Sequence, residues 1–156
     1  MNSQSPPPAK RVVDSVVKPT ILSHGTLECR DLAASRRFYE EFLGLECVRH
    51  GQPAMLIRKG GYWCIVCVGL GKKPEGTQLL NHWGIDVATM EEVDDAYKKA
   101  IELKDVYGIQ AVTKPGDQHG VYSFYLQDLD GNWREIQKVP DGLNDKMYVR
   151  GDVVKM

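Results

Sequence analysis

The sequence predicts an α+β fold in which two paired βαβββ modules form a cupped, mixed β-sheet half-barrel with the helices outside. Three observations predict it. Strand-like alternation and helical periodicity follow one another in the order βαβββ from residue 20 to about 70, and the same order returns from about 80 to 139. With His24 laid on His82, HGTLECRDLAASRRFYEE matches HWGIDVATMEEVDDAYKKA in pattern, and Tyr39 falls on Tyr97. A chain of 156 residues has the length of one ordinary domain, long enough for two such units to share a core.

Residues 1–18, with Ser-Pro-Pro-Pro and no strong period, read as a mobile N-terminal arm. From Ile21 to Cys29 the residues alternate, so that His24, Thr26 and Glu28 share one strand face and Gly25, Leu27 and Cys29 the other. Asp31 is the expected N-cap of a helix whose apolar positions are Leu32, Phe38, Tyr39 and Phe42, and Gly44 stops it. Strands are expected at Leu45 to Arg49, Ala54 to Arg58 and Tyr62 to Val68, the last two joined by a turn at Lys59-Gly60-Gly61. After the polar spacer GKKPEGTQ come a strand at Leu80 to Val87, a helix at Glu91 to Leu103, and strands at Gly108 to Val112, Val121 to Gln127 and Asn132 to Val139. Residues 20–139 are thus expected to form a single domain. A charged tail follows over 140–156, and its alternating MYVRGDVV suits either an edge strand or an arm onto a partner chain.

Net charge is −1 with 26% charged residues, which gives no electrostatic case for nucleic acid or an anionic membrane. No apolar run approaches the roughly 20 residues of a membrane span, and no apolar signal-peptide core opens the chain. The expectation is a soluble cytoplasmic homo-oligomer acting on a small molecule. Cys29, Cys47, Cys64 and Cys67 lack the spacing of a disulfide framework. Cys64-Ile-Val-Cys67 lies in a strand-like run, where residues three apart face opposite sides, so these cysteines read as packing residues.

The stretch His119 to Gln137, HGVYSFYLQDLDGNWREIQ, carries the strongest local pattern. With Leu129, Asp130 and Gly131 as a three-residue loop and Gly131 left-handed, Asp128 faces Asn132 and Tyr125 faces Glu135. Opposed residues have Cβ atoms about 4.5–5.5 Å apart, so the Tyr125 hydroxyl would overhang whatever Glu135 holds. Ser123, Gln127, Trp133 and Gln137 share that face, while Phe124, Leu126 and Ile136 point to the core. A solvated sheet side alone would explain one Tyr–Glu pair. The repeat adds His24 and His82 at the same place in two first strands, giving with Glu135 two imidazoles and a carboxylate, a set that leaves open positions on a transition metal.

The segments SHGTLECRDLAASRRFYEEFLGL, NHWGIDVATMEEVDDAY and SFYLQDLDGNWREI resemble the vicinal oxygen chelate superfamily, which holds glyoxalase I, extradiol dioxygenases, fosfomycin-resistance transferases and methylmalonyl-CoA epimerase. The resemblance covers about residues 20–139. It implies that His24, His82 and Glu135 ligate a divalent metal in the cup between the modules, Fe(II) first, with Mn(II) or Zn(II) as alternatives. Leu129 departs from the proline usual in the family's D-P-D-G turn.

Glyoxalase I has a fourth ligand, usually Glu. Laying the Lys59-Gly60-Gly61 turn on Asp130-Gly131 puts Cys64 or Ile65 over Glu135, and neither is a carboxylate. The resemblance then points to extradiol ring cleavage of a catechol-like diol, with Tyr125 as hydrogen-bond donor and His119 as acid–base. A glyoxalase-, epimerase- or thiol-transferase-like enzyme that uses no O2 is the alternative, followed by a non-enzymatic drug-binding protein.

Overall fold

A computed structural model describes residues 15–151. The first module runs β1 (His24–Cys29), α1 (Leu32–Arg37, continued by a π-helical turn at Phe38–Phe42), β2 (Glu46–Gly51), β3 (Ala54–Arg58) and β4 (Cys64–Gly69). The second has β5 (Trp83–Asp86), α2 (Met90–Glu102), α3 (Lys104–Tyr107), β6 (Ala111–Val112), β7 (Gly116–Gln118), β8 (Val121–Gln127) and β9 (Trp133–Lys138). Their sheets have the same order, β1-β4-β3-β2 and β5-β9-β8-β6, with β7 also on β8. In each the first strand is parallel to the last and the other pairs are antiparallel. The expected class is what the structure shows: paired modules with open, mixed sheets and helices.

Local chemistry sets the helix ends. Asp31 accepts from the Ala34 amide at 2.8 Å, and Gly44 takes φ 65 to end the turn after Phe42. Thr89 and Glu92 form a reciprocal capping box at the start of α2. The inner faces of both sheets and the helices share one core, from Leu27, Met55 and Ile57 through Phe38 and Tyr39 to Val93, Phe124, Leu126 and Ile136. Cys64 is half-buried and Cys67 fully buried, facing opposite ways as the strand period requires, and all four cysteines are free thiols. No helix among the described residues is long and apolar enough to cross a membrane.

Trp83 decides how the modules meet. Its ring lies on Gly25, where an added Cβ would come within 2.2 Å of the indole. Gly25→Ala is therefore expected to cost about 1–3 kcal/mol by overpacking, read by chemical denaturation, and Gly25→Ala/Trp83→Leu should recover most of it. A Gly25→Ala protein as stable as wild type would remove this contact as a determinant.

The described part of the tail is helical and not an edge strand. Residues Leu143–Arg150 form a helix, α4, capped at its C-terminal end by Gly151 at φ 76, with Met147, Tyr148 and Val149 exposed. Intrahelical bonds such as Gly151 to Met147 satisfy the backbone there. Residues 152–154 of the alternating run, and 1–14 of the expected arm, lie outside the described residues.

Candidate active site

The β8–β9 hairpin has the register expected from its sequence. Tyr125 opposes Glu135 and Gln127 opposes Trp133, with Gly131 at φ 84 closing the loop. Asp128 organises that loop: its Oδ1 accepts from the amides of Asp130 and Asn132, both at 2.9 Å. The spacer folds onto it, since the Trp133 amide donates to Thr77 Oγ1 at 2.8 Å and Gly76 lies so close to Gly131 that a Cβ would meet its carbonyl at 2.5 Å.

Beneath the loop is a buried polar knot that sequence reasoning missed. Tyr39 donates to Asp128 Oδ2 at 2.7 Å, and Arg134, 1% exposed, donates to the Tyr39 hydroxyl and to Asp128 Oδ2 at 3.4 Å. Burial holds the Tyr39 phenol well above its ordinary pKa, so it keeps the proton that it donates. Asp130 accepts from the Arg30 amide and the Ser35 hydroxyl, each at 2.9 Å, and Asn132 donates to the Glu28 carbonyl. The knot ties β1 and α1 to the end of the strand that carries Glu135. Its only sequence signal was polar residues at core-parity positions, Arg134 above all.

On the open face, His82 Nε2 stands 3.0 Å from Glu135 Oε2, and its Nδ1 is 2.6 Å from the Leu79 carbonyl. The carbonyl only accepts, so Nδ1 carries a proton, and in a neutral imidazole Nε2 then presents a lone pair to a carboxylate oxygen. Two acceptors at that separation need a proton or a cation between them. A metal fits: a ligating histidine gives its other N–H to such a carbonyl, and two ligands at about 2.1 Å from one ion at a right angle are about 3 Å apart. The Tyr125 ring meets His82 edge-on at 5.0 Å between centroids. Burial, and next the Glu135 carboxylate, raise the Tyr125 pKa above its ordinary value, so the hydroxyl is a donor throughout the neutral range.

The structure does not bring the remaining candidates into this cluster. His119 is exposed at the tip of the β7–β8 turn, with φ 58 and Gly120 at φ 83 beside it. Its neighbour Gln118 accepts the Tyr125 hydroxyl at 3.2 Å. The signal for this was the His-Gly pair, which a two-residue turn with both φ positive accommodates, placing Gln118 opposite Val121 on the site face. His24 is exposed and bonded to the Ser23 hydroxyl at 2.8 Å. No three His, Cys, Asp or Glu side chains among the described residues are grouped to hold a metal.

The physical reason is the packing of Trp83 on Gly25. Both belong to the inner faces, so parity turns His24, Thr26 and Glu28 outward from the first sheet and His82 and Glu135 outward from the second. The inner faces of both modules belong to one core, and among the described residues His24 is not grouped with His82 and Glu135. The register also corrects the fourth position. Glu135 pairs with Gly84, two residues after His82, and Val66 pairs with Thr26, two residues after His24, so Val66 and neither Cys64 nor Ile65 is the counterpart of Glu135. An apolar cavity of about 390 Å³ beside Phe42, Ile85 and Tyr107 lies on the helix side, away from this chemistry.

The family model of the Glyoxalase/Bleomycin resistance protein/Dioxygenase superfamily matches residues 21–136. No curated protein matches the chain by sequence. Among solved structures, the fosfomycin resistance protein FosX of Listeria monocytogenes is 20% identical with TM-score 0.63, over 83% of this chain and 100% of that one. A glyoxalase/bleomycin resistance protein/dioxygenase family enzyme from Burkholderia phytofirmans PsJN is 22% identical with TM-score 0.60, over 76% and 98%. A hypothetical protein from S. aureus is 24% identical with TM-score 0.59, over 77% and 98%. These likenesses establish the fold.

Proposed function

Since the chain belongs to the Glyoxalase/Bleomycin resistance protein/Dioxygenase superfamily, we propose that it is a metal-dependent enzyme of the vicinal oxygen chelate type, acting by extradiol cleavage on a catechol-like diol. The observation that carries this reading is the cluster of His82, Glu135 and Tyr125, in which His82 Nε2 and Glu135 Oε2 sit 3.0 Å apart beside a phenol held protonated. His82 and Glu135 of one chain supply two ligands, and His24 of a second copy supplies the third. The first sheet supports that pairing, because its open face joins exposed His24 to exposed Val48 and half-buried Leu56, Val66 and Val68, an apolar surface suited to a second copy.

A divalent ion, Fe(II) in this reading, supplies Lewis acidity that lowers the pKa of a coordinated hydroxyl and the redox capacity for O2. The chain's own residues do the rest. Leu79 fixes the His82 tautomer through Nδ1, and Gln118 holds the Tyr125 hydroxyl over the site. When substrate is bound, the Tyr125 hydroxyl turns its one proton from the Gln118 carbonyl to oxygen on the substrate. With Val66 in the fourth place, the site keeps the open positions that a bidentate diol requires.

The test is oxygen uptake with mono- and bicyclic catechols after anaerobic Fe(II) reconstitution; no uptake with any of them would end the dioxygenase assignment. Tyr125→Phe is expected to keep metal content and stability near wild type while turnover falls roughly 10- to 1000-fold, as for loss of one oriented donor. Unchanged turnover would make Tyr125 a wall residue. His119 is assigned acid–base work from the rim, so His119→Asn should lower turnover about 100-fold or more without loss of metal, and unaltered turnover would remove it from the reaction.

A further inference from the structure

The strand pair that carries Glu135 has a second concavity behind it, which the proposed reaction does not use. It is a cavity of about 390 Å³ on the helix side of the second sheet. Ile85 and Ile136, directly paired across β5 and β9, line it, and their side chains point away from the face of Gly84 and Glu135. The end of the π-helical turn contributes Phe42 and Leu43, and α2 contributes Ala96 and, at its end, Leu103. Tyr107 of α3 completes the apolar lining.

Close-packed interiors leave few voids larger than a water molecule, yet here Phe42, Ile85, Ala96 and Leu103 stay only half-buried at the margin of the shared core. One wall is held in place before any ligand arrives. The Phe42 and Tyr107 rings meet at 5.4 Å between centroids, the Arg37 guanidinium lies 5.2 Å from the centre of the Tyr107 ring, and the Tyr107 hydroxyl donates to Glu41 Oε2 at 3.3 Å. A preformed, largely apolar concavity of roughly 300–1,000 Å³ is the usual form of a small-molecule site.

Charge narrows the class of ligand. Three charged side chains reach the cavity, Glu41, Asp95 and Lys99, and each already has an opposite partner: Arg37 at 3.0 Å, Lys98 at 3.1 Å and Glu102 at 2.6 Å. The three pairs sum to no net charge. A charged group carried among Phe42, Ile85 and Leu103 would lose its water without gaining a counter-charge.

We propose that this cavity binds an uncharged, largely apolar small molecule of about two fused rings, at a site separate from that of His82 and Glu135. The size follows from the volume. A cavity of about 150 Å³ lined by Leu, Ile and Phe takes benzene, and this one is more than twice as large. The tilted Phe42 and Tyr107 rings favour an aromatic ligand over a flexible chain, which would also lose more conformational freedom. The inference does not rest on the proposed reaction, because no residue of the metal cluster lines the cavity.

Naphthalene, 2-naphthoate and 2-naphthylmethylamine share one ring system and differ in charge, so they test both the site and the class of ligand. Each is titrated into the full chain labelled with ¹⁵N, and amide shifts are followed by NMR. Naphthalene is expected to bind with a Kd below about 1 mM and to move the amides of Ile85, Ala96, Leu103 and Ile136, with both charged analogues at least about 10-fold weaker. Ala96→Phe and, independently, Leu103→Trp put a ring of their own into the space and should each weaken naphthalene at least about 10-fold, with folding checked by thermal melting. Naphthalene shifts that map elsewhere, no binding, or a charged analogue that binds as tightly overturns the proposal on the wild-type chain alone. An affinity unmoved by a filling variant that folds does the same. If naphthalene binding weakens as protein concentration rises, a second copy covers the cavity and the small-molecule assignment fails.

Discussion

Mixing His24→Ala protein with Glu135→Ala protein is expected to restore metal binding that neither protein has alone. Each single variant should bind a divalent ion more than about 100-fold more weakly than wild type, because a ligand is lost outright. Both should keep their fold: His24 is exposed and Glu135 lies on the open face outside the shared core. In a two-fold dimer with His24 from one chain and His82 with Glu135 from the other, a mixed dimer has one doubly damaged site and one intact site. After random exchange about half the dimers are mixed, so about a quarter of the sites should recover metal. A site built within one chain would recover none. The readouts are metal content and, on an identified substrate, turnover. No recovery, with subunit exchange demonstrated, would refute the shared site, and full metal retention in either single variant would strike that residue from the ligand set.

Arg134→Met is expected to cost about 3–5 kcal/mol of folding stability, the scale for breaking a buried charge pair from one side. The variant leaves Asp128 buried at 0% exposure, without the guanidinium and with Tyr39 as the remaining side-chain donor to Oδ2. Asp128→Asn/Arg134→Met should regain a large part of the loss. It removes both charges, and the asparagine carbonyl still accepts from the Asp130 and Asn132 amides. Chemical denaturation of the two variants measures this. A double variant no more stable than Arg134→Met would mean that the guanidinium acts through packing against the Tyr39 ring, whose centroid is 5.3 Å away, and not through charge.

Much of this protein was legible before any coordinates, because the governing rules are local. A strand has a period of two and a helix of 3.6, so the repeat of His24 on His82, the cap at Asp31 and the turn at Gly131 could be read from neighbours a few residues apart. The same locality gave the Tyr125–Glu135 register, since a short loop ties the two strands. The β7–β8 turn is no less local, but a strand at Gly116–Gln118 is not among those expected, and its register puts Gln118 beside Tyr125 and His119 at the tip of the turn.

What only the tertiary structure decided is the relation between the two faces. Alternation says that His24 shares a face with Thr26, and His82 with Gly84, but not which way one sheet turns against the other. That is settled by contacts between residues far apart in the chain: Trp83 on Gly25, Tyr39 with Asp128 and Arg134, and Asp130 with Ser35 and the Arg30 amide. Their donors and acceptors satisfy one another only after both modules have formed, and burial makes an unsatisfied partner costly. A buried arginine has no local signature to distinguish it from a surface one. The consequence is that His24 and the His82–Glu135 pair, the ligands proposed, are not grouped among the described residues, an outcome that no alternation within one strand decides.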